Sequence, residues 1–318
     1  MTVSRTLHRP DRVSAATAKK VLASIQELGY RPNKQAGLLA SGRSQLVAAL
    51  IPNIASPMFA ESVQGLSDHL HESGLELMLA PTGYSIGREE QQLRAVMGWA
   101  PAAIVVTGRL HTAGARALLE EVRASNTPVI EWWDRRDSSR GSGFAQIGFD
   151  HRDAGVMMAR HLLERGYRKL AYVDSGVPED FRAHERGEGF LEAVGVAGGL
   201  GTVYVAERLE PLAAGRRMLQ ALCESGLPEA LAFANDQLAA GAILQALELG
   251  ISIPGQLAIL GFGDFPIAAQ LAGGLSTVWV PRYEMGAAAA RTLLAALAQD
   301  PVPDLPSLEP TIVQRAST

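Results

Sequence analysis

The sequence predicts an α/β protein, with a short helical head followed by a larger body of parallel sheets covered by helices. Three observations carry that prediction. Of 318 residues, 47% are hydrophobic and 19% charged, enough to bury a core in two or more domains and too apolar for a disordered chain. Charge is unevenly divided: residues 1–45 hold eight Lys and Arg against Asp11 and Glu27, a net +6, so a chain of net charge −4 leaves −10 elsewhere. From Leu46 onward, short apolar runs alternate with longer amphipathic ones.

Taken in order, Met1–His8 reads as a short helix closed by Arg9-Pro10. Ser14 can cap a second helix, Ala15–Leu28, with Val21, Leu22, Ile25 and Leu28 on one face and Gly29 at C′. Tyr30–Asn33 is a turn that restarts a short helix through Ala36, Leu39 and Ala40, broken by Ser41-Gly42. Three of the chain's four lysines fall in this head. Charge alone fits either an arm that meets a polyanion or a solvated basic surface. Helices this small bury little by themselves and make sense docked on DNA.

The body opens with strand Val47–Ile51 and helix Phe59–Glu72. The alternation continues with strands at 75–80, 103–106, 128–130 and 145–149 and helices at 88–99, 113–123 and 153–165. A second set follows: strands at 169–173, 203–205, 230–233 and 257–260, with helices near 186–194, 213–225 and 237–249. A final helix, Glu284–Ala298, returns to the first set, and Thr311–Arg315 ends the chain as a strand. Apolar strands alternating with helices predict parallel sheets covered on both faces. Two such sets predict two lobes with a ligand between them.

Residues of the head carry a family resemblance. Thr2-Val-Ser-Arg5, Val13-Ser14, Leu28-Gly-Tyr30-x-Pro32-Asn33 and Ala36-x-x-Leu39 resemble the headpiece of LacI-family transcriptional regulators, and the resemblance runs essentially to the C-terminus. It implies a helix-turn-helix headpiece, a hinge helix and a two-lobed, periplasmic-binding-protein-like sugar sensor acting as a homodimer. The expected domains are a partial DNA-binding headpiece with hinge helix at 1–45 and an effector-binding and dimerisation domain at 46–318. Lobe 1 is expected over about 46–149 and 278–303, lobe 2 over about 150–277 and 304–318. In the family, the segment from Thr2 belongs to the recognition helix, so Met1 falls inside the motif. Either an internal methionine has been taken as the start, which is the expected reason, or the gene is truncated.

The resemblance also implies site residues. Thr2 and Ser4 would donate to phosphates, Arg5 would reach guanine in the major groove, and His8 would be a further phosphate contact. Asn33 belongs to the matched headpiece pattern, and Leu39 resembles the hinge leucine that wedges into the minor groove. In the body, Phe59 could stack on a sugar or pack in the core. Thr107 offers a hydroxyl at a strand end, and Asp153 is either a ligand contact or a helix cap. Arg186, in Arg186-Gly-Glu-Gly-Phe190, matches the family's Arg-x-x-Gly-Phe element, whose arginine contacts effector. Asn235, in Ala234-Asn-Asp-Gln237, matches a second element, with Asp236 as a possible cap. The family's Gly-Phe-Asp element is altered here to Gly261-Phe-Gly-Asp264, which moves the carboxylate one place and leaves Asp264 as the expected effector contact of that element. Losing a carboxylate beside the ligand favours an acidic effector. Met78-Leu-Ala-x-x-Gly-Tyr84, Trp99, Thr107-x-Arg109-x-His111-Thr112 and Glu131 resemble the gluconate-utilisation repressors within the family. Arg109 and His111 would add positive charge near the cleft or sit in a solvated loop.

The expected partners are therefore operator DNA, a small sugar or sugar-acid effector such as gluconate, and a second copy of the chain, with no membrane, metal or cofactor. No run of about 18 uncharged apolar residues occurs, and no export signal follows Met1, so the cytoplasm is the expected compartment. An exported solute-binding protein would share the two-lobed body but has no use for a basic head. An enzyme is not expected, because dinucleotide, P-loop and Gly-x-Ser-x-Gly motifs are absent and no metal-ligand spacing links the seven histidines. Cys223, the only cysteine, excludes a disulfide framework and reads as a small buried apolar residue.

Overall fold

A computed structural model describes residues 2–8, 12–29, 44–136 and 143–318. The chain falls into two compact units, residues 1–44 and 45–318. In the first, α1 (Thr2–His8) precedes α2 (Ala15–Glu27). The Ser14 hydroxyl accepts from the Thr17 amide at 3.3 Å, and Gly29 takes the left-handed φ of +59° that ends the helix. Of the expected apolar face, Val21 and Ile25 are half-buried, whereas Leu22 and Leu28 are exposed. The expected hinge helix, with Asn33 and Leu39, lies outside the described residues.

The second unit holds two parallel sheets. The first contains β1 (Leu46–Ile51), β2 (Glu76–Pro81), β3 (Ala103–Thr107), β4 (Val129–Trp132) and β5 (Ala145–Ile147), in the order β2-β1-β3-β4-β5. Its helices are α3 (Pro57–Glu72), α4 (Ile86–Met97) and α5 (Ala113–Ala124). The second sheet contains β6 (Lys169–Asp174), β7 (Leu200–Val205), β8 (Ala230–Phe233) and β9 (Ala258–Leu260), in the order β7-β6-β8-β9. Around it lie α6 (His151–Glu164), α7 (Phe181–Val196), α8 (Pro211–Ser225) and α9 (Asp236–Leu249). Short α10 (Pro266–Gln270) and β10 (Thr277–Trp279) follow, then α11 (Arg282–Ala298) against α3, and β11 (Thr311–Val313) antiparallel to β10.

Central strands β1 and β8 are apolar throughout, and β3 up to its last residue, Thr107, because helices cover both of their faces, and β3 and β8 are wholly buried. Three helix pairs touch through glycine: Gly65 with Gly286, Gly155 with Gly189, and Gly215 with Gly241. A Cβ at Gly155 would lie 2.0 Å from the Arg186 carbonyl, so α6 and α7 approach more closely than any side chain there would allow.

Several expectations need correction. Helix α7 begins at Phe181, so Arg186 sits inside it, one turn and more beyond its start. Strand β4 runs on to Trp132, and α10 and β10 were not expected, being only five and three residues long. Cys223 is exposed: on α8 the inward positions are Ala214, Gly215, Leu219 and Leu222, and Cys223 turns about 100° past the last of them.

Candidate ligand cavity between the two sheets

Parallel strands carry their functional residues at their carboxyl ends, and here the ends of β1, β4, β6, β8 and β9 face one cavity of about 380 Å³. Such a volume suits a single small metabolite. One wall is aromatic. Phe59, on the first turn of α3, meets Trp133 edge-on at 5.3 Å between centroids and lies 6.5 Å from Tyr84. Phe262, after β9, forms part of the opposite side. Tyr84 and Trp133 both hold left-handed backbone, φ +65° and +63°, an uncommon conformation for aromatic residues and one that clusters at binding sites.

Arg186 is the central charge. It is 4% exposed, lies 4.1 Å over the Phe262 ring, and gives one Nη to the Ala234 carbonyl at 3.1 Å. Its other Nη meets His151 Nδ1 at 2.9 Å, and its Nε is buried without a partner among the described residues. His151 Nε2 donates to the Trp133 carbonyl at 2.8 Å. Burial, with the Arg186 charge beside it, holds His151 well below the ordinary histidine range, so the ring is neutral. Arg182, one turn earlier on α7, also lines the cavity and meets Asp180 only at 3.8 Å.

Of the effector residues expected from sequence, Phe59, Arg186 and Asn235 come together here. Asn235 caps α9 with its amide oxygen, accepting from the Leu238 amide at 3.0 Å, which leaves the NH2 for a ligand. Thr107, Asp153 and Asp264 are not part of the lining. The Thr107 hydroxyl is spent inside the sheet, donating to the Leu50 carbonyl at 2.8 Å and accepting from Trp132 Nε1 at 2.6 Å. Asp153 is exposed, and the cap of α6 is Asp150, whose carboxylate accepts from the Arg152 amide at 2.8 Å. Asp264 turns outward to Arg315 at 2.8 Å, because Gly263, at φ +125°, shifts the register by one. Asp236 does not cap α9. It is buried, accepts from the Phe265 amide at 2.6 Å and from the Thr277 hydroxyl, and burial pushes its pKa up to about 6.

Arg109 and His111 do not sit in a solvated loop: both are half-buried, with their side-chain ends drawn into ion pairs. Arg109 bridges Asp134 and Glu185, which neutralise it, and Glu185 also takes Arg136 at 2.7 Å. His111 lies between Glu89 at 2.6 Å and Glu131 at 3.3 Å. Burial opposes its charge, but the hydrogen bonds and charges of the two glutamates win, and its pKa is pushed up to about 9. Trp133 and His151 were not singled out as ligand-site residues, and Tyr84 entered only as part of the Met78–Tyr84 resemblance; the aromatic pair Trp132-Trp133 followed by Asp134 at a strand end was a further signal in the sequence.

On α1, Thr2 and Arg5 are exposed. Ser4 and His8 lie on the same helix, though their side chains are outside the described set. Among the described residues no helix is long and apolar enough to cross a membrane, and no cluster of three or more His, Cys, Asp or Glu could hold a metal ion.

Two parallel sheets facing one aromatic and cationic cavity, following a basic helical head in the sequence, define a ligand-sensing regulator. Residues 159–318 match the periplasmic binding protein-like domain, and residues 1–33 match the bacterial regulatory proteins of the lacI family. The chain is 37% identical to the HTH-type transcriptional regulator GntR of Pseudomonas aeruginosa, over 96% of this chain and 87% of that protein. It is 30% identical to GntR of Escherichia coli, over 93% and 87%. A solved LacI-family regulator from Silicibacter pomeroyi superposes with a TM-score of 0.89 at 37% identity, covering all of this chain and 95% of that one. GntR of Chromobacterium violaceum superposes at 0.77 and 30% identity, over 86% and 98%. The chain belongs to the LacI family of bacterial transcriptional regulators.

Proposed function

We propose that the chain is a repressor of sugar-acid catabolism that binds operator DNA as a homodimer and is released when a small sugar acid fills the cavity. One observation carries the choice of an acid: Arg186 is a buried guanidinium with no carboxylate at ion-pair distance among the described residues, and its Nε is unpartnered. An uncompensated buried cation is costly, and an anionic ligand removes that cost. The outward turn of Asp264 supports the same choice, since it takes a negative group away from the ligand. Gluconate, or a phosphorylated derivative, is the ligand suggested by the resemblance to gluconate-utilisation repressors and by the GntR relatives.

On the DNA side, Thr2, Ser4 and His8 are proposed phosphate contacts, Arg5 a guanine contact, Asn33 part of the headpiece, and Leu39 the minor-groove wedge. Effector binding would alter the angle between lobes. Two arginines tie those lobes together: Arg109 holds Glu185 of α7, and Arg282 holds Glu61 of α3 at 2.7 Å while donating to the Gly263 carbonyl. Coupling is reciprocal, so DNA weakens effector binding as much as effector weakens DNA binding. No catalytic role is proposed, since the relatives are regulators. Fluorescence anisotropy on duplexes selected by the protein from a random pool tests the reading. Gluconate or 6-phosphogluconate should release the duplex and glucose should not; release by glucose alone contradicts it.

A further inference from the structure

We infer that His151 is a positioning residue of the cavity. It holds Arg186 and the Trp133 backbone from two sides, so that their unpartnered donors, Arg186 Nε and Trp133 Nε1, are presented to an acidic ligand. The inference rests on the reading that the cavity takes a sugar acid.

Hydrogen-bond polarity fixes the tautomer of His151. A carbonyl only accepts, so the 2.8 Å contact between His151 Nε2 and the Trp133 oxygen requires the proton on Nε2. In the neutral ring Nδ1 then carries no proton and accepts from Arg186 Nη1 at 2.9 Å. An imidazolium would set two donors against each other. Phe149, 4.5 Å away between ring centroids, packs on the imidazole and fixes its plane. His151 and Gly155 are four apart on α6 and share a face, and Gly155 is the position that lets the Arg186 backbone come close.

Both neighbours need holding. Trp133 sits at φ +63°, a conformation that persists only where surroundings impose it, and the His151 N–H on its carbonyl is one such constraint. Arg186 has a long, rotamer-rich side chain, and two of its nitrogens are fixed by His151 and by the Ala234 carbonyl. Each residue has one buried side-chain nitrogen with no partner among the described residues, Arg186 Nε and Trp133 Nε1, and both residues line the cavity. Buried donors without acceptors are rare in folded proteins and mark places where a ligand completes the set.

Two substitutions separate the two bonds of the relay. His151→Asn offers an amide oxygen near the Nδ1 position and keeps the acceptor for Arg186. His151→Gln reaches the Trp133 carbonyl with its NH2 and leaves Arg186 without an acceptor. Calorimetric titration of the full chain with D-gluconate and with neutral D-sorbitol reads the outcome. Gluconate affinity should fall about tenfold or more in H151Q, which frees Arg186, and about threefold to tenfold in H151N, which frees the Trp133 carbonyl, with sorbitol changed by less than about threefold in both. Equal losses for both ligands, or no loss of gluconate in H151Q or in H151N, would overturn the assignment. If the parent chain binds no gluconate, the effector reading fails by itself and the relay is read directly by NMR. The guanidinium N–H signals of Arg186 should then persist in the parent and in H151N and broaden in H151Q. An unchanged H151Q spectrum contradicts the relay.

Discussion

At the scale of single residues, the body stores its charge in fixed places. Arg186 is buried and lacks an acid, whereas Arg109 and His111, which look equally cationic in sequence, are each claimed by two carboxylates. His111 gives a pH signature. Its folded pKa of about 9 stands above the ordinary value near 6.5, so its stabilisation is fully present below about pH 6.5 and is lost as pH rises through about 9. The amount is roughly 3 kcal/mol. Urea unfolding of the parent should therefore show a fall in stability between pH 6.5 and 9.5 that His111→Gln removes. A variant with the same pH slope as the parent would contradict the charged triad. These roles were not legible in sequence, because Glu89, His111 and Glu131 meet only when α4, the loop before α5 and β4 pack. Thr107 makes the same point: its hydroxyl is spent on Leu50, 57 residues away.

At the scale of elements, glycine decides where helices touch. An alanine at Gly155 would drive its Cβ against the Arg186 carbonyl at 2.0 Å, and that neighbour is backbone that cannot rotate aside. Gly155→Ala should cost about 1–3 kcal/mol in denaturant unfolding and weaken ligand binding as well, since α7 carries Arg186. Gly195, near the end of the same helix, is the control, with nothing within 4 Å of its Cβ direction. Gly195→Ala should stabilise by about 0.5–1 kcal/mol. A stable Gly155→Ala variant with intact binding would show that the helices have room to separate. The elements themselves were largely readable, because strands buried on both faces appear as uninterrupted apolar runs such as Val47–Ile51 and Ala103–Val106. Elements α10 and β10 escaped because three to five residues are too few to display a period.

At the scale of the whole molecule, the fold brings strand ends from two sheets to one cavity, and the site is made from both. Arg186 and Asn235 were legible as cavity residues through family motifs, and Phe59 through its place after the first strand, each local in sequence. Trp133 and His151 were not, because their value lies in contacts with each other and with Arg186, 35 residues beyond His151. Asp264 was misplaced by one inserted glycine, which no spacing rule converts into a direction. Along the sequence, charge divides into a basic head and an acidic body, and the cavity of that body is locally cationic.

The central claim is that this cavity selects an anion through Arg186. Calorimetric titration of the full chain with gluconate and with glucose, for the parent and for Arg186→Gln, tests it most directly. Gluconate should bind the parent at least about tenfold more tightly than glucose, and the variant should lose that preference. Glucose binding as tightly as gluconate in the parent, or an undiminished gluconate preference in the variant, would contradict the account.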